Sequence, residues 1–447
     1  MRKPAICIFL IFFLLPSLML SQEKWTLDKC ISHAYENNIQ LKQQELNIKL
    51  AENNLSQSKF ELLPSLGAGA AQSFRFGRSV DPLTYEFTTE NSKGTSLYGT
   101  TEIDLFNGFR EINIIKRNKL NLGVVLADYE TAKNDLSLNI TRLYLQILFN
   151  KELVDIAVQQ VEVTRQQVKT TQSLADAGSL PQGDLLEIQA QLAGEDLKLV
   201  NATNQLKLST LNLAQLLDIQ DFESFDIDKP GFENVLIAPL SGSSKEIYES
   251  ALLLMPRIKS ADLKVQVFER NLSVTKGLLS PSLSMNASWG SGYSDRIMEF
   301  QTNKIMPFRT QIDYASTTSL GFNLQIPIFN NLSYQTEVKK SRIALQNCNY
   351  QMELVKSRLH KEIQQSMADA GAALEKYRAT EKSLTSLQEA FRYTEKKYSL
   401  GLLTSLDYNV AKNNLFKAQS DLLQAKYNYI FNVKILDFYQ GIPLELR

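Results

Sequence analysis

The chain has 447 residues, with 48 basic and 48 acidic side chains and a formal net charge of zero. That balance provides no field to gather nucleic acid or an acidic substrate. Two histidines, three cysteines, and no phosphate loop or nucleophile–base constellation argue against a metal, cofactor or catalytic centre.

Residues 1–21 have the order of a secretory signal. Arg2 and Lys3 precede an apolar run from Ile6 to Leu15, Pro16 and Ser17 break it, and polar Ser21-Gln22-Glu23 follows. Cleavage near Ser21 would remove Cys7. No later run reaches the ~18 apolar residues that a membrane helix requires. An exported chain of this kind is soluble or spans a bilayer with strands.

Two copies of one pattern follow. Pro64 and Leu66 recur as Pro281 and Leu283 at an offset of 217, and Phe106, Glu130, Gly178, Asp184 and Leu192 recur as Phe329, Glu353, Gly401, Asp407 and Leu415 at 223. Self-similarity at a fixed period defines structural repeats. Repeat one covers 22–217, an irregular inter-repeat segment covers 218–243, and repeat two covers 244–447.

In each repeat a helix comes first, over Thr26–Leu62 and Ser243–Leu279. Ser243 with Glu246 has the spacing of a capping box, and Thr26 holds the same place in repeat one. Two alternating segments follow in each copy, 66–76 and 96–105, then 283–293 and 318–328. Leu66, Ala68, Ala70 and Phe74 share one face of the first. Leu320, Phe322, Leu324 and Ile326 share one face of the last, opposite Ser319, Gly321, Asn323 and Gln325. Period two, one apolar face, one small polar face and about ten residues per segment suit strands with lipid outside and water inside. Phe74, Phe76, Trp289 and Tyr293 lie toward strand ends, as interface aromatics do. A half-buried sheet over a soluble core would also alternate. Four strands cannot close a barrel, and an open edge in hydrocarbon leaves backbone groups unpaired. Several copies must share one wall: two would supply eight strands, three would supply twelve and a water channel.

A proline-free stretch from Asn107 to Ala177, and another from Asn330 to Leu400, each predict about 65 helical residues, a rod near 100 Å. Val154, Ala157, Val161, Thr164, Val168, Thr171 and Ala175 step by three and four, and Tyr377 to Tyr398 repeat that register. After the turns at 177–184 and 400–407, shorter helices return.

At the turns, Gly178 and Gly401 allow a left-handed helix end. Asp184 with Glu187, and Thr404 with Asp407, have the look of helix starts. A second role is open to both aspartates: converging carboxylates would narrow and charge a pore. Leu180, Leu402 and Leu403 on a protruding tip suggest docking to another protein.

The chain resembles the TolC family of outer-membrane efflux and secretion ducts over nearly all of its mature length, from Trp25 to about Leu444. The resemblance rests on Leu62-Leu63-Pro64-Ser65-Leu66 and Leu279-Ser280-Pro281-Ser282-Leu283 before the strands, and on Leu105-Phe106-Asn107-Gly108 and Pro327-Ile328-Phe329-Asn330 after them. It rests also on Met255-Pro256-Arg257-Ile258 and on the two Gly turns followed by aspartate. It implies a mainly helical fold with membrane strands: a homotrimer with a twelve-strand β-barrel, a twelve-helix α-barrel and an equatorial belt. It implies an outer-membrane location with a long periplasmic extension, and partnership with a periplasmic adaptor and an inner-membrane pump. The sequence departs from the family at the second turn, where Leu403 and Val410 stand in place of a frequent Arg and a second Asp. Asp184 and Asp407 are then the pore-constriction candidates, and Gly178, Leu180, Gly401, Leu402 and Leu403 the adaptor-docking candidates. The expected function is a passive duct gated at its helical tip. The rival reading is a periplasmic coiled-coil spacer that never enters lipid.

Overall fold

The computed structural model describes residues 24–80, 85–89, 91–229, 242–299, 302 and 304–446. The expected signal segment, and residues 230–241 of the inter-repeat segment, lie outside the described residues.

Repeat one begins with α1 (Leu27–Asn37) and α2 (Ile39–Phe60), followed by β1 (Ser65–Arg75), a small hairpin of β2 (Ser79–Val80) and β3 (Phe87–Thr88), and β4 (Ser92–Phe106). The long α3 (Arg110–Asp176) and the returning α4 (Gln182–Leu216) complete it. Repeat two runs α5 (Ser244–Leu254), α6 (Pro256–Gly277), β5 (Ser282–Ser294), α7 (Phe308–Tyr314), β6 (Thr317–Gln325), α8 (Ser333–Ser399) and α9 (Ser405–Tyr439). α3 and α8 have 67 residues each, and α4 and α9 have 35 each. At 1.5 Å per residue the long pair spans about 100 Å and the short pair about half that.

Local chemistry sets these boundaries. The Thr26 hydroxyl accepts from Lys29 N at 3.2 Å, and Ser243 with Glu246 forms the reciprocal capping box at 3.3 and 3.0 Å. Between strand and long helix the backbone turns left-handed for two residues in both repeats. Gly108 and Phe109 have φ of 69° and 60°; Asn331 and Leu332 have φ of 55° and 60°. Gly and Asn are the residues that enter this region at least cost. Gly108 has a further constraint, because a Cβ there would lie 2.5 Å from the Gly277 carbonyl oxygen.

The four main strands form one antiparallel sheet in the order β1-β4-β5-β6. Its register puts Ala70, Leu97 and Ser291 in one row, Leu66, Thr101, Ala287 and Leu320 in another, and Met285 beside Ile103 and Phe322. The apolar faces of all four strands therefore coincide. Leu320, Phe322 and Leu324 are each about three-fifths exposed, an unfavourable surface in water and a suitable one in hydrocarbon. The opposite face carries Tyr98, Glu102, Asn286 and Ser288. Gly69 leaves room there for the Tyr98 ring, 2.4 Å from where its Cβ would sit. β6 stops at Gln325, short of the 328 expected, because Pro327 has no N–H to give a ladder.

The core sits at mid-height, where α1, α3, α4 and α9 meet around Cys30, Ile140, Tyr144, Leu148, Leu213 and Ile430. The start of the inter-repeat segment is fastened there. Trp25 and Ile227 form a parallel bridge, and the buried Tyr144 hydroxyl donates to the Trp25 and Asp228 carbonyls at 3.1 and 2.8 Å. A smaller core joins α5, α8 and α9 around Ile247, Leu359 and Ile363. Cys30 and Cys348 are both free and buried. Burial pushes the Cys30 thiol up to about 12, so it stays protonated and inert.

Candidate functional site: the helical tip and the wall above it

Each long helix ends in the same turn. Gly178 and Gly401 have φ of 71° and 72°. Ser179 N donates to the Leu174 carbonyl at 2.8 Å, and Leu402 N to the Lys397 carbonyl at 2.9 Å, a helix stop that only glycine enters freely. The turns differ beyond that point. In repeat two the Thr404 hydroxyl accepts from Asp407 N at 3.2 Å and donates to its carboxylate at 2.8 Å. In repeat one α4 starts at Gln182 behind Pro181, and no side chain caps it. Asp184 therefore lies within the first turn and is not the capping residue that its spacing with Glu187 suggests. A carboxylate in a first turn still faces the positive end of the helix dipole. The tips touch where Ser405 donates to Glu187 at 3.0 Å.

The tip leucines are not equally accessible. Leu402 is exposed, while Leu180 and Leu403 are half-buried. The more open apolar tip residues are Leu400, Leu402 and Leu406. Behind the second tip the Tyr408 ring packs on Tyr398 and Phe391, with centroids 4.7 and 5.4 Å away. Burial, helped by Glu395, pushes its phenol up to about 12.

A feature that sequence reasoning missed lies above the tips. Lys412 on α9 and Glu195 on α4 are 0% and 1% exposed and form an ion pair at 3.2 Å. Lys412 also donates to Thr164 of α3 at 2.6 Å. Thr164 bonds in turn to Glu195 and to the Gln160 carbonyl. Gln191 and Gln160 donate to the Glu195 carboxylate at 2.6 and 3.2 Å, and Gln160 reaches Asn413 at 3.2 Å. Three helices from both repeats are thus joined by one closed polar cluster. Burial holds the Lys412 ammonium below the usual lysine range, with Glu195 opposing that shift.

The long-helix seam is as expected. Ala157, Val161, Thr164, Thr171 and Ala175 are buried, and Val154 and Val168 half-buried. α3 packs on both α4 and α9, so its seam is covered. The equivalent α8 residues are only half-buried, because α8 has α9 on one side alone near the tip.

No helix among the described residues is long and apolar enough to cross a membrane, and no cluster of His, Cys, Asp and Glu there could hold a metal. A lipid-facing sheet continued into a long double helical hairpin, with a polar inner face throughout the strands, defines the class of outer-membrane channel with a helical extension. The chain belongs to the outer membrane efflux protein family, whose model matches residues 30–218 and 247–441. It is 25% identical over 406 residues to outer membrane protein TolC of Escherichia coli (strain K12), covering 88% of this chain and 78% of that protein. It is 20% identical to outer membrane efflux protein BepC of Brucella suis biovar 1, covering 91% and 83%. Among solved structures it is similar to the Campylobacter jejuni CmeC outer membrane channel, with a TM-score of 0.80 at 18% identity over 94% of this chain and 87% of that one. The protein is an outer-membrane channel, and its relatives are channel proteins rather than enzymes.

Proposed function

We propose that three copies close into one duct that carries small molecules or proteins from the periplasm to the exterior. A periplasmic adaptor and an inner-membrane pump would bind and drive it. The observation that carries this reading is a free edge at both ends of three stacked arrays. The sheet ends in β1 and β6. Next to the membrane the helices run α2-α3-α6-α8, and near the tip α4-α3-α9-α8. Every array has four members, with repeat one at one end and repeat two at the other. The free ends carry bare apolar residues: Leu46 and Leu50 on α2, Leu197 and Val200 on α4, Ile343 and Leu354 on α8. Joining one end to the other is a head-to-tail contact, which closes by rotation. Three copies make twelve strands, enough for a water-filled lumen.

Purified in detergent, the protein should run at three chain masses and conduct ions in planar bilayers. A soluble single chain that needs no detergent would overturn the reading in favour of a periplasmic spacer.

In this duct the energy for opening comes from the pump, and the hairpins move apart at the tip. Asp184 and Asp407 form the carboxylate constriction, and Gly178, Leu180, Gly401, Leu402 and Leu403 form the adaptor-docking rim. One pair of variants separates the two roles. Asp407→Ala should raise basal conductance, and Leu402→Glu should lower adaptor cross-linking without loss of the trimer. Unchanged conductance in the first would leave the Asp407 carboxylate only as the partner of the Thr404 cap. Undisturbed cross-linking in the second would remove Leu402 from the rim.

A further inference from the structure

Residues 304–316, between β5 and β6, form a platform whose position follows from strand parity. The β5 register is regular with β4 from Ser284 to Ser294 and with β6 from Ser282 to Gly290, so Met285, Ala287, Trp289, Ser291 and Tyr293 share the apolar outer face. α7 lies on that face. The Ser291 hydroxyl, on a side chain only 7% exposed, donates to the Ile312 carbonyl at 2.6 Å. The Trp289 indole donates to Ser316 at 2.8 Å, and the Tyr293 ring meets Phe308 at 5.3 Å. Gln311 ties α7 to β5 on the side that β6 has left, since Asp295 N already turns toward Lys93 of β4. It is 2% exposed, accepts from Ser294 N at 2.9 Å, and donates to the Ser294 and Met306 carbonyls at 3.0 and 2.7 Å. α7 is therefore on the outside of the sheet and does not plug the lumen.

Its height follows from strand geometry. The nine steps from Ser282 to Ser291 rise about 30 Å along the strand. At a tilt of 35–45° that is roughly 23 Å above the periplasmic start, against an apolar band about 25 Å tall. α7 is thus level with the outer headgroups. What it presents outward is mixed. Ile305 and Phe308 are about half exposed and Tyr314 is 81% exposed, with Arg309 and Asp313 exposed among them. Apolar and aromatic groups beside charges are the composition that settles at a bilayer interface.

We propose that α7, with Ile305 before it, is an interfacial foot that seats on the outer-leaflet lipid around the barrel. The occupant is lipid because the patch continues the lipid-facing surface of β5 and β6 without a break. The foot would fix the depth at which the barrel sits and resist its tilting.

The test is a nitroxide label on Tyr314→Cys in the full-length protein reconstituted in phospholipid bilayers. Phe322→Cys is the mid-band control and Tyr85→Cys the control in the β2–β3 hairpin segment. The buried Cys30 and Cys348 make the unsubstituted chain the blank. Collisions with oxygen report lipid, and collisions with a nickel chelate report water. The Tyr314 label should show an oxygen-to-nickel ratio several-fold above that at Tyr85, at a depth shallower than Phe322. A ratio equal to that at Tyr85 places α7 in water and overturns the foot. Shielding from both probes places it against protein and overturns it equally. If the Phe322 label itself fails to meet lipid, the fault lies with the barrel and not with α7.

Discussion

Replacing Lys412 with Met while Glu195 stays should destabilise the helical domain by about 3–5 kcal/mol, the effect of leaving one buried charge without its partner. Glu195→Met should do the same from the other side. Each single change strands a charge inside a junction of three helices, where Thr164, Gln160 and Gln191 can solvate only part of it. Replacing both together should recover most of the loss, because two methionines fill the same space without desolvating a charge. The direction of the Lys412 shift agrees. Its folded pKa is depressed, so the unfolded chain binds more protons between that value and the ordinary lysine range, and stability rises with pH through this alkaline window. At neutral pH the ammonium is therefore held at a net cost. The pair is better understood as fixing how α9 sits against α3 and α4 than as adding stability. Thermal unfolding of the four proteins in detergent, followed by circular dichroism, forms the double-mutant cycle. Single variants within about 0.5 kcal/mol of the parent would show that water reaches the cluster and that its burial does not hold in the assembled protein.

Gly108→Val should abolish correct assembly, and Gly108→Ala should impair it strongly. Two independent penalties add at this position. A non-glycine residue at φ of 69° costs roughly 1–2 kcal/mol. The added Cβ would also lie 2.5 Å from the Gly277 carbonyl and 2.7 Å from Ser280 Cβ. These are backbone and short side-chain atoms that cannot swing aside. Gly277 mirrors the constraint, since its own Cβ would meet the Gly108 carbonyl at 2.9 Å. The two glycines let the end of α6 pass the start of α3 directly below the sheet. The yield of detergent-resistant trimer on gels of membrane extracts would measure the loss. Wild-type yield from Gly108→Val would mean the junction is laxer than these distances imply. Asn331, the repeat partner of Gly108, has a similar φ of 55° without that crowding, and Asn331→Gly should be nearly neutral.

Much of the architecture was readable before any coordinates, because periodic burial leaves a periodic record. α1, α2, α5 and α6 pair across the repeats at the offset of 217, and the two long helices and two return helices pair at 223. The ion pair was hidden because Lys412 and Glu195 sit in helices rich in Lys, Gln, Asn and Glu, where a charge is ordinarily solvated. One signal existed. On α9 the buried stripe passes through Tyr408 and Leu415, and Lys412 falls between them at steps of four and three. On α4 the stripe breaks between Leu192 and Leu199, and the residue in the gap is Glu195. A charge on the apolar register of two helices at once points to a partner. α7 left no such record, because seven residues are too few for a period. Its anchoring through Gln311 depends on backbone carbonyls that no sequence pattern displays. The half-burial of Leu180 and Leu403 was likewise invisible, since it depends on which way each turn folds back.

The matched lengths of the two hairpins carry a further consequence. Both arms must end in one plane if a level rim is to meet a partner, and each added residue shifts an end by about 1.5 Å and swings its side chains through 100°. An insertion confined to one copy of the repeat would leave a notched, misphased edge. Lineages that lengthen or shorten this molecule to suit a wider or narrower periplasm are thus bound to alter both halves in step.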